Sequence, residues 1–325
     1  MMEQDNPFGQ VLVALVTPMT HDGEVDWAGV EKHIDDVISA GADGIVVTGT
    51  TGETSTLTDA EKLKLVVVGK EVSAGRAKII TGGPSNETAH AIQLAKQSAD
   101  AGADGVMAVT PYYNKPTQAG VLTHFRMIAD ATDLPLILYD IPGRTGIPIT
   151  YETILRLAKH PNIIAVKDAK GDLAQVSRVL NQTELLYFSG DDANTLPLLS
   201  IGATGLIGVT ANIASQPYRM MVDAVNAGDL RTATDAHKRL EPLVRATMTH
   251  VPGTVATKYI LHGLGRIQSP RVRLPLVGPE EWEAALIEDE LDLVRDVEGA
   301  SFTNFRPDRN AAAGGALPRI PGTTR

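Results

Sequence analysis

Lys167 ends the apolar run in PNIIAVKDAKGD, residues 161–172. A lysine at the end of a strand that reads as buried has two uses. It sits in a salt bridge, to Asp168 or a neighbour, or it is an amine nucleophile. A free lysine has a pKa of about 10.4, so only about one in a thousand is neutral near pH 7.4. Burial disfavours the ammonium and lowers the pKa by up to several units. A drop of about three units corresponds to about 4 kcal/mol, within reach of desolvation plus a nearby cation. The neutral amine attacks a ketone to form a Schiff base. The iminium is an electron sink, so the adjacent carbon can lose a proton and become a carbon nucleophile. That chemistry needs no metal or other cofactor, and the eight histidines show no H-E-x-x-H or comparable ligand spacing.

Other polar residues gather just past apolar runs. GTTGE, residues 49–53, has two glycines around two hydroxyl residues, in a bend before a helix beginning near Asp59. Backbone N–H groups and hydroxyls there would cradle a carboxylate. Arg144 follows a Pro-Gly turn in YDIPGRTG, residues 139–146. It would clamp a second carboxylate, or else make a structural ion pair. The chain has seven tyrosines: Tyr112 and Tyr113 fall in TPYYNKP, residues 110–116, just past another apolar run, and Tyr139 falls in YDIPGRTG. Tyr113 and Tyr139 are each either a packing residue with a wet hydroxyl or a proton carrier. Residue types alone do not choose between Tyr113 and Tyr139 as the main carrier.

These residues need a scaffold. Apolar or β-branched runs begin near Val13, Ile45, Ile79, Met107, Leu136, Ile164, Leu186 and Leu206, with helix-length amphipathic segments between them. Eight parallel β/α units predict an α/β protein with a (β/α)8 TIM barrel, whose active site lies at the C-terminal ends of the strands. A doubly wound sheet is the alternative, but no G-x-G-x-x-G follows the first strand. AGADGIV (40–46) recurs as AGADGVM (101–107) and, more loosely, as IGATGLI (201–207). Each copy reads as a helix end followed by a strand, with its first glycine at the helix C′ position.

The expected organisation is a catalytic barrel over 9–212, a C-terminal helical appendage over 213–297 and a disordered tail over 298–325. Helices are expected at about 213–228, 230–248, 252–263 and 279–297. The tail is rich in Pro, Gly, Ala and Arg, with no apolar periodicity.

Charged residues make up 21% of the 325 and the net charge is −10, with no basic cluster, so nucleic acid is not an expected partner. An anionic substrate must be drawn in by local cations. There are no cysteines, which excludes disulfides and thiol nucleophiles. The start, MMEQDNPFGQ, does not read as a secretory signal, and no apolar run nears the roughly 20 residues needed to cross a bilayer. A cytoplasmic protein is expected, with no membrane contact.

Taken together over residues 9–297, the strand-end motifs resemble those of the pyruvate-dependent class I aldolase superfamily, and within it the dihydrodipicolinate synthases. The resemblance implies a homotetramer, a dimer of dimers, that condenses pyruvate with L-aspartate 4-semialdehyde on the route through diaminopimelate to lysine. It implies that Lys167 forms the Schiff base with pyruvate and that Tyr139 is the acid/base beside it. Thr50 and Tyr113 would complete a hydroxyl relay, with Tyr113 entering from a neighbouring subunit. Thr51 would hold the pyruvate carboxylate and Arg144 that of the semialdehyde, while Gly190 and Ile207 line the pocket.

Two features depart from the family pattern: Asp140, where many members have Asn, and Pro84 in a loop that is usually more glycine-like. The positions matching the family's lysine-inhibition site are Ser55, Asp59, Lys62, Asn86, His90 and Tyr112. Lys62 would repel a cationic effector, so inhibition by L-lysine is expected to be weak or absent. Sialic acid and keto-deoxy sugar acid aldolases share the lysine, the main tyrosine and a Gly-x-Thr-Gly-Glu loop. PYYNKP and the arginine in IPGRTG favour the synthase. A catalytically silent barrel that binds a keto acid is the alternative of another class, and the intact Lys167, Tyr139, Thr50 and Tyr113 argue against it.

Overall fold

The computed structural model describes residues 6–83, 85–294, 302 and 305. Pro84 lies outside the described residues, as does the expected tail apart from Phe302 and Phe305. Eight strands carry the barrel: β1 Val11–Ala14, β2 Gly44–Val47, β3 Lys78–Thr81, β4 Gly105–Val109, β5 Leu136–Asp140, β6 Ile163–Asp168, β7 Leu186–Ser189 and β8 Gly205–Gly208. They close in chain order, and every neighbouring pair is parallel, β8 against β1 included. Each of the eight apolar runs has become one strand.

The runs are continuously apolar because both faces are buried. Leu12, Val46, Ile80, Met107, Ile137, Ala165, Phe188 and Ile207 fill the lumen. Their strand neighbours Val11, Val13, Ile45, Val47 and Ile79 face outward into the core shared with the helices. Phe8, fully buried, joins the lumen cluster from the N-terminal segment. The period of two makes the face of every strand residue legible. On β5 it places Tyr139 with Ile137, and on β6 it places Lys167 with Ala165.

Helices α1 Trp27–Ser39, α2 Asp59–Ser73, α3 Thr88–Asp100, α4 Gln118–Ala129, α5 Pro142–Thr145, α6 Tyr151–Leu157, α7 Leu173–Leu180 and α8 Thr195–Ser200 follow the first seven strands. Side-chain caps fix several starts: Asp26 on α1, Thr117 on α4, Thr150 on α6 and Asp172 on α7. Thr58 and Glu61 form a capping box on α2. The echoed glycines Gly41, Gly102 and Gly202 have φ of 98°, 89° and 102°, the left-handed geometry that ends a helix before the next strand.

Four further helices follow: α9 Ala211–Asn226, α10 Leu230–Met248, α11 Gly253–Gly263 and α12 Glu281–Asp292. Helix α9 packs against β1, β8 and α1, and is kinked at Ala214 (φ −133°, ψ 51°). Helix α10 packs on α9, α11 and α12. Leu240, Ile260, Ile287 and Leu291 belong to the same apolar cluster as Val11 and Val13, so the C-terminal helices and the barrel share one core. Among the described residues no helix is long and apolar enough to cross a membrane.

Candidate active site

Lys167 is 4% exposed, and its Nζ lies 4.2 Å from the centroid of the Tyr139 ring. The two residues are direct partners in the β5–β6 register. The salt-bridge reading of Lys167 does not hold. Alternation turns Asp168 away, and its Oδ1 accepts the amides of Lys170 and Gly171. Among the described residues no carboxylate pairs with Lys167. Burial pushes its pKa down to about 8; the charge of Arg144 acts in the same direction, and the buried Asp192 opposes. Near pH 7.4 roughly one amine in five is then neutral, against about one in a thousand for a free lysine.

Tyr139 is buried, and that burial holds its phenol well above the ordinary value, so it keeps its proton at neutral pH. In front of it lies a cavity of about 540 Å³, whose walls include Tyr139, Thr50, Tyr113, Arg144, Val109 and Ile141. Lys167, Thr51, Gly190 and Ile207 are not on those walls. Lys167 and Ile207 sit on β6 and β8, and Thr51 and Gly190 lie in the segments that follow β2 and β7.

Arg144 sits on the one-turn helix α5, which Pro142 starts and Gly146 ends. It is exposed at the cavity, and among the described residues its guanidinium makes no hydrogen bond or ion pair. The structural ion pair considered for it is absent there.

The GTTGE bend is tightly wound. Gly52 N–H donates to Gly49 O at 3.1 Å, and Glu53 N–H to Thr50 O at 3.1 Å. Thr48 and Glu53 adopt φ of 59° and 62°, unusual for residues with side chains. Among the described residues the amides and hydroxyls of Thr50 and Thr51 donate to no protein acceptor. Thr50 is exposed to the cavity, whereas Thr51 is buried beside it. Such a set of free donors suits an anion.

Gly190 follows β7, and a Cβ there would lie 2.9 Å from Lys167 Cγ and 3.0 Å from Cε. The missing side chain leaves room for the lysine stem. Ile207 is fully buried in the lumen cluster with Phe188 and Tyr139. Tyr113 is 92% exposed, with φ of 73°. The single chain brings it to the cavity rim without covering it.

Asp192 is a charged group that residue types did not single out, although it lies in FSGDD, residues 188–192, at the end of β7. It is buried and accepts from the amides of Val209 and Thr210 and from the Tyr218 hydroxyl. Its charge favours the protonated forms of both Lys167 and Tyr139. Asp140 is fully buried with Lys170 at 3.5 Å, and burial pushes its pKa up to about 6. Its charge is therefore met by Lys170, outside the lumen.

Ser55, Lys62, His90 and Tyr112 line the same cavity. Lys62 pairs with Asp59 at 3.2 Å and His90 Nε2 with Asp59 at 2.7 Å, while Asn86 donates to Tyr112 O. Among the described residues no group of three or more His, Cys, Asp or Glu is placed to hold a metal.

A family model described as the dihydrodipicolinate synthetase family matches residues 7–292. A 4-hydroxy-tetrahydrodipicolinate synthase from Kineococcus radiotolerans is 47% identical over 287 residues, covering 88% of this chain and 93% of that one. The crystal structure of a dihydrodipicolinate synthase from Cyanidioschyzon merolae with lysine bound has a TM-score of 0.86 at 39% identity, covering 89% of this chain and 99% of that one. A chloride-inhibited dihydrodipicolinate synthase from Acinetobacter baumannii, complexed with pyruvate, has a TM-score of 0.85 at 38% identity, covering 88% and 99%.

Proposed function

This chain belongs to the dihydrodipicolinate synthetase family, and on that premise we propose that it joins pyruvate to L-aspartate 4-semialdehyde through a Schiff base on Lys167. The product is 4-hydroxy-tetrahydrodipicolinate, on the diaminopimelate route to lysine. The neutral amine adds to the pyruvate ketone and water leaves, giving an iminium. The methyl group then loses a proton, and the resulting enamine attacks the aldehyde. The semialdehyde's own amine closes the ring and releases Lys167.

Each residue has a role suited to its surroundings. Lys167 has a lowered pKa and no carboxylate partner among the described residues. Tyr139, still protonated and in contact with it, passes protons to and from the reacting carbons and oxygens. Thr50 carries those protons toward solvent, together with Tyr113. The free donors at Thr51 hold the pyruvate carboxylate, and Gly190 and Ile207 shape the wall around the adduct.

The proposal includes a homotetramer in the cytoplasm. Tyr113 supports the assembly: a large aromatic with a left-handed backbone is left almost wholly in solvent by its own chain. It would complete the site of a neighbouring subunit.

The observation that carries the choice of aldehyde is Arg144, a guanidinium at the cavity with no partner among the described residues. A short aldehyde bearing a carboxylate needs such a clamp, and a sugar aldehyde does not. Pyruvate consumption is measured with L-aspartate 4-semialdehyde, N-acetylmannosamine and glyceraldehyde, for the native protein and for Arg144→Ala. The expected result is rapid consumption with the semialdehyde alone, lost in the variant. Consumption with a sugar aldehyde, indifferent to Arg144→Ala, overturns the proposal.

A further inference from the structure

We propose that Lys258, on a C-terminal helix, is a positioning residue for pyruvate, holding the GTTGE bend in the conformation that presents its free donors. The inference rests on the reading that this bend receives the pyruvate carboxylate, and it makes the C-terminal helices part of the pyruvate site.

The contacts are specific and buried. Lys258 lies 205 residues from Glu53, yet its Nζ donates to Glu53 Oε1 at 2.5 Å. Lys258 is 0% exposed and Glu53 2%. The same Nζ donates to Arg271 O at 2.8 Å, and Glu53 Oε2 accepts from Arg273 N at 2.8 Å. One turn earlier on α11, the Thr254 hydroxyl donates to Thr51 O at 3.2 Å. Residues four apart share a helix face, so one face of α11 grips the bend at Thr51 and at Glu53. Arg273 extends the grip by donating to Thr56 O and to both carboxylate oxygens of Glu61 at the start of α2.

Residues with side chains stay in the left-handed region only where their surroundings over-determine them, and Glu53 (φ 62°) is held by both carboxylate oxygens. A buried ion pair is weak evidence for stability, since desolvation cancels much of the attraction. What this pair does supply is a fixed position for the residue two places after Thr51. Through it the directions of the Thr50 and Thr51 amides are set.

The test is steady-state kinetics of the full-length protein with separate KM values for pyruvate and the semialdehyde, beside circular dichroism and a thermal melt. Lys258→Met is expected to raise the pyruvate KM about tenfold or more, as small misplacements of binding groups do, with the semialdehyde KM changing less than threefold. Lys258→Arg, which keeps the charge, is expected to recover part of that loss. A folded Lys258→Met with a pyruvate KM within twofold of native overturns the proposal. Should Lys258→Met fail to fold, Thr254→Val decides in its place. It removes only the hydroxyl on Thr51 O, and an unchanged pyruvate KM there overturns the proposal equally. Thr51→Val separates the two readings. If it raises the pyruvate KM and the α11 variants do not, the grip is wrong and the carboxylate reading stands. If the α11 variants raise it and Thr51→Val does not, the grip stands and another donor of the bend holds the carboxylate.

Discussion

Lys167 is mostly protonated at neutral pH, and its neutral fraction limits how fast it attacks a ketone. The pH dependence of kcat/KM for pyruvate reports the free enzyme, so it is expected to rise through a limb near pH 8 and level above it. Arg144 helps depress that pKa, so in Arg144→Ala the limb is expected to move to higher pH. A profile flat between pH 7 and 9, or a limb that moves to lower pH in the variant, contradicts the assignment. At this scale much was legible in the sequence. A lysine ending an apolar run implies a strand-end amine, and its desolvation follows. The choice between Tyr139 and Tyr113 was not legible, because it depends on register. Only the direct pairing of Tyr139 with Lys167 across β5 and β6 puts one ring beside the amine.

Elements place these groups by removing freedom, and Gly190, directly after β7, does so by its missing side chain. Gly190→Ala would set a Cβ 2.9 Å from Lys167 Cγ and push the lysine stem from its place. Activity is expected to fall by about two orders of magnitude, as it does for misplaced reacting groups, with the thermal midpoint moving by only a few degrees. Activity within threefold of native contradicts that account. Helix α2 brings Lys62 to the cavity, where its ammonium meets any cationic effector. Inhibition by L-lysine is therefore expected to be weak, and half-inhibition well below millimolar L-lysine contradicts this. All eight strands were legible from their apolar or β-branched runs. The helix expected over 230–248 runs Leu230–Met248, and the helix expected over 279–297 runs Glu281–Asp292, opening on a capping box between Glu280 and Glu283. The left-handed backbone of Glu53 was hidden, since nothing local in GTTGE demands it. Its side chain is held by Lys258 and Arg273, more than two hundred residues away.

For the whole molecule, the question is which chain completes which site. Tyr113 is exposed on its own chain, so the account assigns it to a neighbour's cavity. Two inactive proteins, Tyr113→Ala and Lys167→Ala, are unfolded together and refolded together. Mixed assemblies then contain sites with Lys167 from one chain and Tyr113 from the other. Activity is expected to return to a sizeable fraction of the native level, and no recovery means that Tyr113 serves its own chain. This scale was the least legible of the three. Assembly depends on surface shape, which has no period along the chain. The contact of α11 with the GTTGE bend was equally hidden, because nothing near Lys258 in the sequence points to Glu53 opposite it.

The central claim is that Lys167 carries pyruvate as a Schiff base. The most direct test is borohydride reduction in the presence of pyruvate, followed by peptide mass mapping of the native protein and of Lys167→Ala. The account expects one reduced pyruvyl adduct per chain, on the peptide containing Lys167, and none in the variant. An adduct on another lysine, or no adduct at saturating pyruvate, contradicts it.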